Sequence, residues 1–334
     1  MTMQIGEYKM LTIAQYGCRA GEYFDAFHLI GERINRESLN LQDGSAAYSI
    51  RRFGLDEELL SALQNFFEEP WDKPIGGVPV DVVSSVRVIA GFCYYRLGRL
   101  SLSEILWGSV RLSLGRQKLL FFRPKTRMAY HTAYGRQIMI NFEQGKIDSA
   151  RELVARQFAL HGATELWDWP VFKNFAYSAR AHFLSGDFEQ AAEGYEKAEN
   201  WQAFIEPQYP RLDSFVGFEF CELLLQPIVR LVWQLILGVE KEIPRKSLKI
   251  LDVVNRRAKN SLIIVSKEKL PHDTAMDLLT LAKVEVYNAI LFQESKIPVD
   301  TIERLDEIVK AFSEYGMMSL IHYWCAPQNL FHVI

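Results

Sequence analysis

Apolar residues recur along this chain at the spacing of amphipathic helices rather than that of strands. Apolar positions three and four residues apart share one face of an α-helix, whereas strict alternation is typical of a half-buried strand, and such alternation is scarce here. Four segments share one order, in which an apolar stretch is followed by a glycine, one or two polar or short residues and a second amphipathic stretch. They cover residues 14–34, 90–110, 138–158 and 178–198. Each segment predicts two consecutive helices.

A glycine lies in each segment where the first helix has to end. Glycine tolerates the left-handed backbone conformation that closes a helix and lets the chain turn back. These glycines are Gly21, Gly98, Gly145 and Gly186. The pattern therefore predicts four antiparallel helix pairs, each joined at a glycine corner.

The second helix of each pair carries a small residue five positions after the glycine and a larger apolar residue four positions later. A small side chain lets two helices approach closely, and a residue four positions on lies on the same helix face. The small residues are Ala26, Ser103, Ala150 and Ala191. The larger ones are Ile30, Trp107, Val154 and Tyr195. Both sets are expected to be buried between paired helices.

These segments resemble tetratricopeptide repeats, with the best match around residues 172–200 and the second best around 8–34. Residues 186–198, with the sequence GDFEQAAEGYEKA, carry the family's turn and its small and aromatic positions. These positions are Gly186, Asp187, Phe188, Ala191, Tyr195 and Ala198. The turn of the first segment carries Gly21, Glu22, Tyr23 and Ala26. The resemblance implies an all-α, tetratricopeptide-like superhelix, or solenoid, of antiparallel helical hairpins.

The spacing departs from that family, whose repeat is about 34 residues long. Successive corner glycines are 77, 47 and 41 residues apart, so the repeats are irregular and longer than the usual ones. Two segments also lack a family residue, because Ser103 replaces an alanine and Ile138 replaces a small residue. We expect helical hairpins over residues 1–205 with an irregular insertion near 36–80, and further hairpins over 206–334 that continue or cap the array.

Several further elements are predicted outside the four segments. A helix is expected within 54–69, a Pro- and Gly-rich connection at 70–81 and a break at 207–213. Asp300 followed by Glu303 resembles a capping box at the start of a helix. Helices are expected near 214–225, 227–238, 244–267, 271–294, 300–315 and 317–332.

The composition is that of a folded protein of the reducing cytoplasm. The 334 residues are 49% hydrophobic with a net charge of −3, which argues against disorder and against general attraction to nucleic acids or membranes. The four cysteines lie far apart and form no CxxC pair, which favours a reducing compartment. The first residues contain no continuous apolar stretch of the kind found in secretory signals. Cytoplasmic localisation is therefore predicted.

Motifs for catalysis, cofactors and metals are absent from the sequence. There is no phosphate-binding GxxxxGK[ST], no GxGxxG, no HExxH and no GxSxG. The seven histidines are scattered, without a pair four residues apart that could share a metal on one helix face. Cys93 and Cys221 lie among apolar neighbours and are expected to be core thiols. We predict no catalytic, cofactor-binding or metal-binding residue and a non-enzymatic function.

The resemblance implies a concave groove lined by the first helix of each pair. Carrying the family's register onto this chain places arginines among aromatic residues there. Guanidinium groups bind carboxylates through two hydrogen bonds, and aromatic rings hold apolar side chains, so this groove suits an acidic peptide or a carboxylate terminus. The predicted groove consists of Gln15, Arg19, Phe92, Tyr95, Arg96, Arg136, Met139, Phe142, Lys173, Tyr177, Arg180 and Phe183. Scattered surface charge is the alternative interpretation.

The predicted function is a non-catalytic adaptor or regulatory scaffold that binds a protein or peptide. The alternative is a sensor that changes shape on binding a ligand or signalling peptide; an enzyme on a helical scaffold is a third class. Basic and aromatic residues between Arg111 and Arg136 could instead follow a nucleic-acid backbone, although a solvated loop and helix start explain them without a ligand. The apolar residues 317–334 could cover the last hairpin or support self-association.

Overall fold

The computed structural model of this chain is almost entirely α-helical, which confirms the predicted all-α class. It describes residues 2–30, 55–115, 124–162, 170–205, 207, 210–212, 214–240, 242–267, 271–292 and 299–314. The chain divides into two compact units, Met1–Glu165 and Leu166–Ile334.

Unit 1 contains seven helices and one short hairpin of strands among its described residues. The helices are α1 (Thr2–Arg19), α2 (Tyr23–His28), α3 (Asp56–Gln64), α4 (Val80–Arg96), α5 (Leu100–Gly115), α6 (Pro124–Glu143) and α7 (Ile147–Gly162). The antiparallel strands are β1 (Phe67–Glu69) and β2 (Lys73–Pro74). The helices pack in chain order as the pairs α1/α2, α4/α5 and α6/α7, with α3 against both α1 and α4.

Unit 2 contains six helices among its described residues. They are α8 (Pro170–Leu184), α9 (Phe188–Ile205), α10 (Ser214–Ile236), α11 (Arg245–Lys267), α12 (Pro271–Leu291) and α13 (Val299–Glu314). Helix α9 packs against α8 and α10, and α10 also packs against α11 and α12. The sequence pattern grouped the α8/α9 hairpin with the preceding ones, but in the structure its apolar residues share a cluster with Phe220 and Leu223 of α10. The unit boundary therefore precedes this hairpin.

All four predicted glycine corners are present, and they share one hydrogen-bond pattern. At Gly98, which has a φ of +71°, the glycine N–H donates to the Tyr95 carbonyl and the Arg99 N–H donates to the Tyr94 carbonyl, at 3.1 and 2.8 Å. The Ser103 N–H then donates to the Arg99 carbonyl at 3.2 Å and opens the next helix. The same three bonds form at Gly21, Gly145 and Gly186. A glycine with a left-handed φ therefore ends one helix and starts the next.

The paired helices touch at small residues, as the sequence predicted. A Cβ added to Gly91 in α4 would lie only 2.3 Å from Nε1 of Trp107 in α5, and the Ser103 hydroxyl donates to the Gly91 carbonyl at 2.5 Å. In the α8/α9 pair, a Cβ on Gly194 would lie 2.8 Å from that of Ala179. The four small residues and the four larger apolar residues named above are all buried.

Two predicted helices, at 214–225 and 227–238, are one continuous helix in the structure, so the predicted break at Pro227 was wrong. Pro227 has no N–H to donate to the carbonyl four residues earlier, which usually ends or bends a helix. Here its ring is exposed, while Leu225 and Ile228 on either side are buried in the core of unit 2. Burial of the apolar face on both sides of the proline outweighs the lost hydrogen bond.

Smaller differences concern the ends of other elements. The helix predicted within 54–69 ends at Gln64, and strand β1 takes the place of its last predicted residues. Strand β2 lies within 70–81, where the sequence predicted only a connection. Helix α13 begins at Val299, so Asp300 lies in its first turn rather than at the capping position. The helix predicted at 317–332, and with it the proposed self-association segment, lies outside the described residues, as do residues 36–54 of the insertion predicted near 36–80.

Candidate functional site

The predicted groove residues of unit 1 lie on α1, α4 and α6, the first helices of its three hairpins. Helices α4 and α6 pack side by side, whereas α3 packs between α1 and α4. This inserted helix supplies contacts to two of the predicted residues, because Gln15 donates to the Ser61 hydroxyl at 3.3 Å and Arg96 pairs with Asp56. The insertion is therefore part of the surface that was assigned to a partner.

The cleft between α1 and α3 is small and open. It has a volume of about 290 Å³, and Gln15 lies on its wall. Its other lining residues are Leu11, Thr12, Glu57, Glu58 and Ser61. Arg19, one turn beyond Gln15, is exposed and lies 5.9 Å from the ring centre of Tyr16 on the same helix. Two glutamates make this cleft a poor site for a carboxylate, so it does not match the predicted ligand.

Arg96 is engaged in a buried ion pair inside unit 1. Its Nε lies 3.1 Å from Oδ1 of Asp56, and the two side chains are only 4% and 6% exposed. Burial raises the pKa of Asp56 to about 6, although the positive charge of Arg96 and its hydrogen bond act in the opposite direction. The guanidinium that was predicted to meet an acidic partner thus meets a carboxylate of its own chain.

Arg136 has a different environment. Its guanidinium carbon lies 4.7 Å above the ring centre of Phe92 in α4, and both side chains are half-buried. Tyr95, one turn along α4, is also half-buried and its ring lies 6.1 Å from that of Trp107. Within the part of the chain that the structure describes, Arg136 makes no hydrogen bond and no ion pair. Its N–H donors remain available to a ligand.

The other two predicted residues on α6 are buried. Met139 and Phe142 are each 6% exposed, so they contribute to the core more than to a surface. Phe92, Tyr95 and Arg136 therefore form the accessible part of the predicted set on α4 and α6, and we call them the α4/α6 patch.

In unit 2, the four predicted groove residues on α8 also include both partly exposed and buried side chains. Lys173, Tyr177 and Phe183 are half-buried, and the Phe183 ring lies 6.0 Å from that of Phe188 at the start of α9. Arg180 is 2% exposed and its Nε lies 2.7 Å from a carboxylate oxygen of Glu219 in α10. Its guanidinium also lies 5.0 Å from the ring centre of Phe215. Arg180 thus helps to join α8 to α10.

Further ion pairs cross the interior of unit 2. Lys283 of α12 lies 2.7 Å from Glu222 of α10, and Arg257 of α11 forms two hydrogen bonds with Glu199 of α9. These pairs join neighbouring helices at positions that are largely buried. Sequence reasoning missed them because each carboxylate is far along the chain from its cation, so no local spacing reveals the pair.

Cysteine positions agree with the prediction of core thiols. Cys93 is completely buried and Cys221 is 4% exposed. Burial raises the pKa of both thiols, so neither forms a thiolate at neutral pH. Burial and a raised pKa are typical of structural cysteines rather than reactive ones.

The described ranges contain neither a metal-binding cluster nor a membrane-spanning helix. Those residues include no group of three or more His, Cys, Asp or Glu placed to hold a metal ion. None of the described helices has the length and apolar character needed to cross a bilayer. Comparisons with family models, with curated proteins and with solved structures give no match to this chain.

Proposed function

We propose that this chain is a tetratricopeptide-like adaptor whose unit 1 binds a segment of another protein that carries an acidic side chain or a C-terminal carboxylate. The α4/α6 patch is the binding surface, with Arg136 as the carboxylate-binding residue and Phe92 and Tyr95 as the apolar contact. Support comes from the resemblance of the hairpins to tetratricopeptide repeats, in which the first helices line the ligand groove.

The contrast between Arg136 and two other groove arginines, Arg96 and Arg180, carries this proposal. Arg96 and Arg180 are buried and lie in ion pairs with carboxylates of their own chain, whereas Arg136 is half-buried and has only the ring of Phe92 as a described partner. A guanidinium that lies over a ring keeps its N–H donors at its edge, where a carboxylate can accept two hydrogen bonds. Arg136 is thus held in place before a ligand arrives, which lowers the entropy cost of binding.

Two side chains determine what else the bound segment can contain. Phe92 and Tyr95 are one turn apart on α4, and both keep part of their surface exposed. An aliphatic or aromatic residue next to the acidic group could cover them, and such aromatic contacts typically dominate binding at protein interfaces. The proposed ligand is therefore an acidic segment with an adjacent apolar residue, rather than a uniformly acidic one.

An array of peptides tests this proposal. Peptides with free or amidated C-termini, and with Asp and Glu or their amides, are incubated with the full chain and with Arg136→Glu. Peptides that bind should lose binding on amidation or on replacement of their acids. Arg136→Glu should weaken the binding free energy by about 2 kcal/mol or more, because it removes a charged hydrogen-bonding group and adds repulsion. Arg136→Lys should restore part of the affinity, since a point charge replaces the two-pronged donor.

Arg151→Glu is the matched control, because Arg151 is an exposed arginine on α7 in the same hairpin. It makes the same change in net charge at a position outside the α4/α6 patch. If acidic peptides bind equally well to Arg136→Glu and to the unchanged chain, the proposed surface is wrong. Equal losses in Arg136→Glu and Arg151→Glu would instead indicate a general effect of net charge.

A further inference from the structure

Helix α11 exposes a strongly basic face. It contains seven of the chain's 38 basic residues but only one of its 41 acidic residues. Its buried side faces the core of unit 2 through Leu251, Val254, Ala258 and Val265. The opposite, solvent-exposed side carries Arg245, Lys246, Lys249, Arg256, Lys259 and Lys267. We call this set the α11 basic face.

Most of these charges have no partner in the part of the chain that the structure describes. Arg256 pairs with Asp252 at 3.0 Å, and the remaining five basic residues form no described ion pair. Like charges four residues apart on a helix, such as Arg245 and Lys249, repel each other and destabilise it. The seventh basic residue, Arg257, points inward and pairs with Glu199. An external anionic surface would relieve the repulsion along the exposed side.

The corner that leads into α11 exposes apolar side chains. Leu237 and Val239 are 70% and 73% exposed on either side of Gly238, and Trp233, one turn earlier in α10, is 38% exposed. A Cβ placed on Gly238 would meet no atom within 4 Å. The projecting pair of aliphatic residues thus lies on the connection that leads to the first basic residues of α11, with Val239 six positions before Arg245.

We infer that the corner at Gly238 and the α11 basic face dock onto a bilayer that contains anionic phospholipids. Lipid phosphates accept contacts from Lys and Arg, and the region below the headgroups accommodates Leu237 and Val239, with Trp233 suited to the membrane–water interface. Duplex nucleic acid offers the phosphates but no place for the projecting aliphatic residues. The exposed side of α11 also lacks an aromatic residue on which an unpaired base could stack.

The acidic character of the whole chain does not oppose this inference. The sequence-based expectation of no membrane binding rested on the net charge of −3, which averages over the molecule. Exposed charges act over about 8 Å at physiological ionic strength, so the local face determines the attraction. Glu240 and Glu242 follow the corner and reduce its positive charge, but the six basic residues of the α11 basic face exceed them.

Sedimentation of the full chain with lipid vesicles tests this inference. Vesicles of phosphatidylcholine alone are compared with vesicles to which phosphatidylserine has been added. The chain should bind the anionic vesicles more than about tenfold tighter, and added salt should release it, because each basic residue near such a surface contributes about fivefold in affinity. Lys246→Glu with Lys249→Glu should weaken binding to anionic vesicles more than about tenfold.

A second variant separates the apolar contribution from the charge. Leu237→Ser with Val239→Ser should weaken binding while leaving its salt dependence unchanged, because no charge is altered. Lys146→Glu with Arg151→Glu, a matched reversal of two exposed charges in unit 1, should leave binding unchanged. Circular dichroism of each variant should show the helicity of the unchanged chain, since all these side chains are exposed.

Three results would overturn the inference. They are equal binding to neutral and anionic vesicles, binding to neither, and binding to duplex DNA without binding to vesicles. The inference does not depend on the proposed peptide binding, because Arg136→Glu should leave vesicle binding intact. Failure of one proposal therefore leaves the other standing.

Discussion

At the scale of single residues, arginines that pair with a carboxylate of their own chain must be distinguished from arginines whose N–H groups could bind a ligand. The sequence pattern placed Arg96, Arg136 and Arg180 on the groove face of the first helices and predicted that each binds a carboxylate of the ligand. The structure shows carboxylates for two of them, one of which, Asp56, is 40 residues away in the inserted helix α3. No local pattern predicts such a pair, because its formation depends on where an irregular insertion packs. Arg136 is half-buried and has no such carboxylate among the described residues, which is why the proposed function assigns it the ligand's carboxylate.

The Asp56–Arg96 pair makes the stability of unit 1 depend on pH in a predictable direction. The pKa of Asp56 is raised from 3.8 to about 6, so the folded chain binds a proton more readily than the unfolded chain. A raised acid pKa contributes stability below pH 4 that is lost as pH rises towards about 6. We expect the difference in unfolding free energy between the unchanged chain and Asp56→Asn to fall by about 2–3 kcal/mol over this range.

Urea denaturation at a series of pH values measures this difference. Glu57→Gln is the control, because the neighbouring Glu57 forms an exposed pair with Arg99 whose contribution should stay below about 1 kcal/mol. Near pH 4 the unchanged chain and Asp56→Asn should have similar unfolding free energies, because a protonated Asp56 and an Asn both leave Arg96 without a counter-ion. A difference that grows with rising pH would show that the carboxyl is instead stabilised in its ionised form.

At the scale of elements, the corners are the part of the fold that the sequence predicted best. Their chemistry is local: a glycine, the residue after it and a small residue define each turn within a few positions. The sequence did not reveal the left-handed turn at Gly238, whose φ is +69°, or the continuity of α10 through Pro227. The α11 basic face was also missed, although the excess of basic residues in 245–267 indicates it, because α11 lies outside the four segments that resemble repeats.

Replacing a corner glycine should destabilise the chain without changing any side-chain contact. Gly98 and Gly186 have φ values of +71° and +80°, a conformation that costs roughly 1–2 kcal/mol for a residue with a Cβ. We expect Gly98→Ala and Gly186→Ala each to lower the unfolding free energy by about that amount, measured by chemical denaturation. Gly76→Ala is the control, because its Cβ would enter open space at an ordinary φ. Equal effects at Gly76 and Gly98 would contradict the conformational explanation.

At the scale of the whole molecule, each unit has its own hydrophobic clusters. Unit 1 has one cluster on α1 to α4 and another around Trp107, whereas unit 2 has clusters centred on α8/α9, on α10/α11 and on α12/α13. A segment with its own core can in principle fold alone. The sequence suggested a division at residue 205 because the best repeat motif ends there, but it does not reveal which helices that motif packs against.

Expression of residues 1–165 and 166–334 as separate chains tests this division. We expect each fragment to show strong helical circular dichroism and a cooperative thermal transition, because its described clusters are internal to it. A pair of fragments divided at residues 205 and 206 serves as the control. It should be less stable, since that cut separates α8 and α9 from the α10 residues of their cluster. A fragment 166–334 without a cooperative transition would contradict the division.

The glycine corners also have a consequence for the order in which this chain acquires structure. The contact between Ser103 and Gly91 joins residues only 12 positions apart, so one hairpin encloses a short loop and needs no distant segment. Chains dominated by such local contacts fold quickly, and segments near the N-terminus leave the ribosome first. During synthesis, each hairpin can therefore close soon after its second helix emerges. Its exposed apolar face is then covered when the next hairpin folds, before the C-terminus has been synthesised.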